Sequence, residues 1–224
     1  PPNPELSLVD HAIGVHASAL VRDGGTLQIG IGELGDALCY ALLLRHQQNA
    51  EYRKALHDLG TEQSATLVTA TGGRDAFRDG LFGSTEMFVD QMLDLLRAGI
   101  LRRKVYDWLP LQRALASGRS TDRFDDSLLA ALVQAGLNAR LSAADVGQLR
   151  HFGVFKSDTE FKEGLIRSGT GEWFAADLAD RAACAGIVAQ CLGTELRHGT
   201  IVHAAFLLGP RAFYVALNNL PESE

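Results

Sequence analysis

Between Asp23 and Leu38 the chain reads Asp-Gly-Gly-Thr-Leu-Gln-Ile-Gly-Ile-Gly-Glu-Leu-Gly-Asp-Ala-Leu, in order a turn, a strand, a glycine corner and the start of a helix. Asp23-Gly24-Gly25 tolerates the backbone geometry of a tight reversal. Thr26 to Ile31 is a short β-rich run suited to a buried strand. Gly30, Gly32 and Gly35 interrupt it, and Ala37 to Leu44 reads as a largely buried helix. A strand that ends in glycines at a helix N-terminus leaves backbone N–H groups facing a crevice, where they can hold a phosphate, a carboxylate or a developing oxyanion. Glycine removes the left-handed penalty of ~1–2 kcal/mol that an L-residue carries, and it lets a ligand approach the backbone.

Three readings of this corner stand at the level of sequence. Gly30-x-Gly32-x-x-Gly35 matches the dinucleotide fingerprint, which would make the chain a nicotinamide-dependent oxidoreductase. That fingerprint wants a second strand ending in an acidic residue about 20 positions on. Glu51 and Asp58 fall near that distance, but Glu51-Tyr-Arg-Lys-Ala-Leu-His-Asp58 is polar and helical in character. A second reading gives the glycines only the task of turning a strand into a helix. The third is a ligand-facing loop of another kind.

The surrounding pattern predicts an α/β fold: a layered parallel sheet with helices on both faces and a small β-hairpin insertion, in a single domain over residues 1–224. Ser7 to Val21 reads as an amphipathic helix capped by Ser7, with Leu8, Val9, Ala12, Ile13, His16, Ala17 and Leu20 inside. Arg45 to Gln63 is polar, the surface end of the corner helix followed by a loop or short second helix. Ala65 to Ala70 reads as the next strand. Gly80 to Ser84 reads as a turn and Glu86 to Ala98 as a helix stopped by Gly99. Lys104 to Asp107 reads as a short strand, and Leu109–Ala116 and Ser127–Ala135 as helices. Arg119 to Phe124 is polar and aperiodic, the pattern of a mobile loop. Ser142 to Asp145 is a capping-box opening to a helix through Arg150. Gly153 to Gly171 reads as a hairpin or meander, and Leu178 to Leu192 as an alanine-rich helix. Gly199 to Gly209 is a continuous apolar run, the signature of a strand buried on both faces. Pro210 then opens a last helix.

A net charge of −6 argues against a nucleic-acid or anionic-membrane surface as the main partner. No run approaches the length of a membrane span, and Pro1 to Leu6 has neither the basic nor the apolar region of a signal peptide. Three widely spaced cysteines without a CxxC fit a reducing, cytoplasmic setting. The histidines form no helical pair at i, i+4, so no metal site is expected.

Asp23-Gly-x-Thr-Leu-Gln-x-Gly-Ile-Gly followed by Asp36-Ala-Leu resembles the glycine loop of the acetyl-CoA hydrolase/transferase family, a branch of the class I CoA-transferases. Gly83-Ser-Thr-Glu-Met-Phe-Val-Asp90, with Leu93-Asp-Leu and Ala98-Gly-Ile100, is similar to the family's His-Thr-Glu-Met-Phe segment, with Ser84 where histidine is usual. Weaker echoes run through Arg140 to Asp145, His151 to Phe155 and Phe206 to Tyr214, so the likeness spans nearly the whole chain in order.

The resemblance implies acyl-CoA chemistry with coenzyme A bound as the acyl-CoA substrate. A glutamate attacks the thioester to give a mixed anhydride, coenzyme A returns to form a glutamyl-CoA thioester, and water or a small carboxylate accepts. The family's chains usually continue into a second half that carries the nucleophile, in a segment not matched here; a missing half or a homo-oligomer is therefore expected as partner. Within these residues Glu86 is the acidic candidate for catalysis, expected at a helix N-terminus whose dipole keeps it ionised; a plain helix cap is its structural alternative, and the same holds for Asp90 as a solvated acid. Gly30, Gly32, Gly35 and Arg211 are the candidates for binding the substrate. Arg211 at a helix start could hold an anion or be an ordinary surface arginine, and His203 in an apolar strand reads as a core histidine. A catalytically silent acyl-CoA or carboxylate binding module is the alternative function, favoured by the departures at Ser84 and Gly35.

Overall fold

The computed structural model describes residues 5–61, 65–118 and 123–220. It consists of two compact units, one formed by the chain up to Lys104 together with the stretch from Ile201, the other by Val105–Thr200. No composition shift in the sequence marks that boundary. Elements are numbered along the chain.

In the first unit, α1 (Leu8–Ala19) starts at a capping box: the Asp10 N–H donates to Ser7 Oγ, and the Asp10 carboxylate accepts from the Ser7 N–H. Its buried residues are Gly14, Val15, Ser18 and Ala19. Leu8, Val9, Ile13 and Leu20, expected inside, are exposed. The reason is the helix it meets. α2 (Glu33–Gln47) approaches so closely that a Cβ on Gly14 would lie 2.4 Å from the Ala37 carbonyl oxygen. The small-residue face, not the bulky one, permits that approach. α3 (Asn49–Asp58) follows and packs Tyr52 and Leu56 into the same core.

Ala65–Thr71 is a helix, α4, and not the expected strand. Its β-branched residues favour a strand only where a sheet can bury them, and here Val68 alone is buried. The segment from Gly80 corrects the reading in the opposite direction. Phe82–Val89 is strand β2, and the helix that follows, α5, covers only Asp90–Arg97. β2 is the centre of a parallel sheet in the order β1–β2–β6, with β1 at Thr26–Leu27 and β6 at Val202–Leu208. A central strand gains hydrogen bonds on both edges, which outweighs the helical periodicity of its last residues.

The unit is thus mixed α/β, a three-stranded parallel sheet flanked by helices. Alternation along the strands separates its two faces. Leu27, Ile29, Gly83, Thr85 and Val89 are buried on one; Thr26, Gln28, Glu86, His203, Ala205 and Leu207 are exposed on the other. Helices therefore do not close both faces over these residues. Phe88 departs from the pattern because Phe213 of α10 (Arg211–Asn218) stacks on it at 6.0 Å. β6 is an edge strand with Phe206, Leu207 and Leu208 nearly half exposed, not a strand buried on both faces, and His203 is exposed and not a core residue. Pro210 caps α10 from outside, leaving Arg211 as its first residue.

The second unit holds α6 (Leu109–Ala116), α7 (Asp126–Gln134), α8 (Ala143–His151), α9 (Arg181–Cys191) and an antiparallel meander of β3 (Glu160–Lys162), β4 (Leu165–Arg167) and β5 (Trp173–Ala175). Ser142 caps α8 through the expected box with Asp145. The core gathers Leu111, Leu129, Leu132, Leu149, Phe155 and Ile187. Of the loop expected at 119–124, residues 119–122 lie outside those described, as do Pro221 to Glu224. Among the described residues no helix is long and apolar enough to cross a membrane.

Candidate functional site

β1 and β2 run parallel with Leu27 opposite Gly83, which carries Ile29 alongside Thr85. Thr85 Oγ1 lies within hydrogen-bonding distance of two carbonyl oxygens, those of Ile29 (3.2 Å) and Met87 (3.1 Å). The chain beyond Ile29 leaves the sheet and turns into α2 at Gly32, whose φ of 110° few residues other than glycine adopt. No side chain caps this helix, so the first N–H groups of α2 lack a capping acceptor. Gly30, Ile31 and Gly32 are exposed, and a Cβ on Gly30 or Gly32 would meet nothing within 4 Å. Gly35 differs. A Cβ there would lie 2.2 Å from the Gly30 carbonyl oxygen and 3.2 Å from Ile29 Cγ2, so this glycine lets α2 close down on the loop. Two glycines present backbone to solvent, and the third sets the corner's shape.

Glu86 sits on β2 between the register pairs Thr85↔Ala204 and Met87↔Phe206, level with Gly30 across the sheet. Its expected place at a helix N-terminus is corrected: α5 begins at Asp90, which takes the helix-end position instead. Glu86 is exposed on the open face. Ser84 on that face pairs in register with His203, and no hydrogen bond joins them.

Acidic groups surround the corner. Glu33 and Asp36 lie in the first turn of α2 and Asp90 in that of α5. Asp36 accepts a hydrogen bond from Gln91 Nε2 at 2.6 Å. Burial, then Asp90 and Glu33, raise its pKa above the ordinary carboxylate value. A native pKa above the unfolded one favours folding when the group is protonated, and that contribution fades as pH rises through the native value. Asp36→Asn, which keeps an acceptor for Gln91, is therefore expected to raise the melting temperature at pH 7 by about 1–2 °C, a small shift because the carboxylate is largely solvated. Below about pH 4 the gain should vanish, as thermal scans at the two pH values would show. One turn on, burial, with Asp36, Asp94 and Asp90, pushes the Cys39 thiol up to about 12. It stays protonated at neutral pH and offers no thiolate nucleophile.

Arg211 is exposed and lines a different hollow, of about 910 Å³, with Arg97, Ala212, Val215, Ala216 and Asn219. None of Gly30, Gly32, Gly35 or Glu86 lines that hollow. The fold thus brings Glu86 to the glycine corner and gives Arg211 other surroundings.

Two polar residues escaped the sequence reading. The Asp23 carboxylate accepts from the backbone N–H groups of Gly24, Arg78, Asp79 and Gly80 at 2.8–3.2 Å, tying the glycine turn to the loop before β2. Burial raises its pKa, but the donors of Asp79, Arg78, Gly80 and Gly24 together outweigh that and hold it below the ordinary value. Arg45, read as part of a surface helix end, is 1% exposed. Its Nε donates to the Asp75 carbonyl and its Nη1 to those of Ser18 and Val21, at 2.7–2.9 Å. Its position directly after Leu42-Leu43-Leu44 was the one available signal; partners 24 to 30 residues away were not legible.

No protein-family model matches the chain, and neither a curated protein nor a solved structure matches it.

Proposed function

We propose that this chain is an acyl-CoA-binding domain of the CoA-transferase type, part of a hydrolase or transferase that works through a glutamyl-CoA thioester. One observation supports this most: an uncapped helix start with exposed glycine backbone stands beside Glu86 at the carboxyl ends of parallel strands. Ligand crevices of open parallel sheets form at that end. In this reading the thioester carbonyl approaches Gly30 and Gly32, and the free N–H groups of α2 stabilise the oxyanion that develops as a carboxylate attacks. The carboxylates of Glu33, Asp36 and Asp90 favour the uncharged acyl end at the corner and direct the nucleotide phosphates of coenzyme A away from it. They also oppose a pyrophosphate at this helix end, which weighs against the nicotinamide reading.

Glu86 in this reading forms a polar wall of the site. Its exposure to water lowers its power as a nucleophile, which needs a partly desolvated pocket. The attacking glutamate of the reaction is then supplied from outside these 224 residues. The same exposure, with Ser84 in the usual histidine position, favours the second reading, a silent acyl-CoA binding module. Calorimetric titration with acetyl-CoA, followed by a free-thiol assay and borohydride trapping, separates the possibilities. Binding is expected, with no thiol released and no glutamate reduced. A reduced Glu86 would make the chain a self-sufficient enzyme, and binding of NADH without acetyl-CoA would sink the CoA reading altogether.

A further inference from the structure

The first unit contains a second cleft, of about 400 Å³, between the glycine turn and the loop that follows α4. Arg22, Asp23, Arg45, Asp75, Arg78 and Asp79 line it, with the backbone of Gly72 and Gly73. Arg45 reaches it from below. Its Nε and Nη1 are consumed by three carbonyl oxygens, and its guanidinium carbon stands 4.3 Å from the centre of the Phe77 ring. Nη2 has no acceptor in the protein, nor is it among the sealed, unpaired polar atoms, so it opens onto the cleft it helps to line. It lies beside Gly73, 3.1 Å from where a Cβ would stand.

The charges around this edge do not cancel. Asp75 pairs with Arg53, and Asp79 with Arg78. The Asp23 carboxylate is turned to four backbone N–H groups. That leaves Arg45 and, on the rim, exposed Arg22, which makes no ion pair among the described residues. Holding a cation 1% exposed is costly, and a free donor pair on it is an unmet demand for an acceptor. Guanidinium N–H pairs match the oxygens of carboxylates and phosphates in geometry as well as charge.

We propose that this cleft is a binding site for a small oxyanion, a carboxylate or a phosphate group, held by Nη2 of Arg45 and the side chain of Arg22 beside Gly73. It is distinct from the glycine corner and stands or falls independently of the acyl-CoA reading.

Inorganic phosphate and sodium acetate are the probes, titrated separately into the chain while the Arg45 Nε–H and the Gly72 and Gly73 amide resonances are followed, with sodium chloride as the control. Saturable shifts at these groups are expected, with dissociation constants on the order of 1–10 mM for an isolated small anion. Response to acetate alone assigns a carboxylate, to phosphate alone a phosphate group, and to both a site for either. Arg22→Ala, at an exposed position, should weaken binding about tenfold with the fold intact. Gly73→Ala places a methyl group over Nη2 without a backbone penalty and should abolish binding. Chloride acting as well as either probe, no saturable shift at these groups, or Arg22→Ala binding like the parent chain would each overturn the proposal. The Arg22 result decides it even if the Gly73 variant folds poorly.

Discussion

Replacing Arg45 with methionine is expected to destabilise the first unit by about 3–4 kcal/mol, read as a fall in the urea midpoint with an unchanged slope. The size follows from what the side chain satisfies. Its Nε and Nη1 bind the carbonyls of Ser18, Val21 and Asp75, at the end of α1 and in the loop before β2. Methionine fills much of the volume but leaves three carbonyl oxygens without their donor. Burial lowers the Arg45 pKa, but arginine starts so high that the group stays charged, so part of the loss is offset by no longer desolvating a cation. A methionine variant as stable as the parent chain would show that apolar packing alone suffices at this position.

The second large effect concerns the glycine corner. Gly35→Ala is expected to cost about 2–3 kcal/mol, because the added methyl would stand 2.2 Å from a backbone oxygen that cannot rotate away. Either α2 shifts or the Gly30–Gly32 loop does. Both outcomes move the N–H groups proposed to meet the acyl carbonyl, so acetyl-CoA affinity should fall with stability. The substitution separates the packing glycine from the presenting ones. An alanine at Gly30 meets open space and should leave stability nearly unchanged while narrowing the approach to the backbone. Equal effects at the two positions, measured by urea unfolding and calorimetric titration, would contradict this division of roles.

The corner itself was legible because its signals are local. A turn, a short β-rich run and spaced glycines before an apolar helix specify their geometry within sixteen residues, Asp23 to Leu38. The capping boxes at Ser7 and Ser142 were legible for the same reason. What failed was decided at long range. Phe82–Val89 carries apolar residues that fit a helix or a strand, and the choice was made by β1 and β6, the latter more than 100 residues downstream. Ala65–Thr71 had strand-forming residues but no strand to pair with. On α1 the buried face was set by Gly14 against Ala37, a contact that hydrophobic periodicity does not reveal. For the site, Glu86 was found but given a helix end that belongs to Asp90, and Arg211 was found but lines other surroundings. Arg45 and Asp23 were missed as binding and bracing groups because their partners are backbone atoms, which carry no sequence signature.

The backbone amide spectrum of the chain during titration with acetyl-CoA bears most directly on the proposed function. The largest changes are predicted at Gly30, Gly32 and Glu33, where the start of α2 lacks a side-chain cap, and at Glu86 across the sheet from them. Saturable binding that leaves these four amides unmoved, or that perturbs only residues of Val105–Thr200, would contradict the assignment of the glycine corner as an acyl-CoA site.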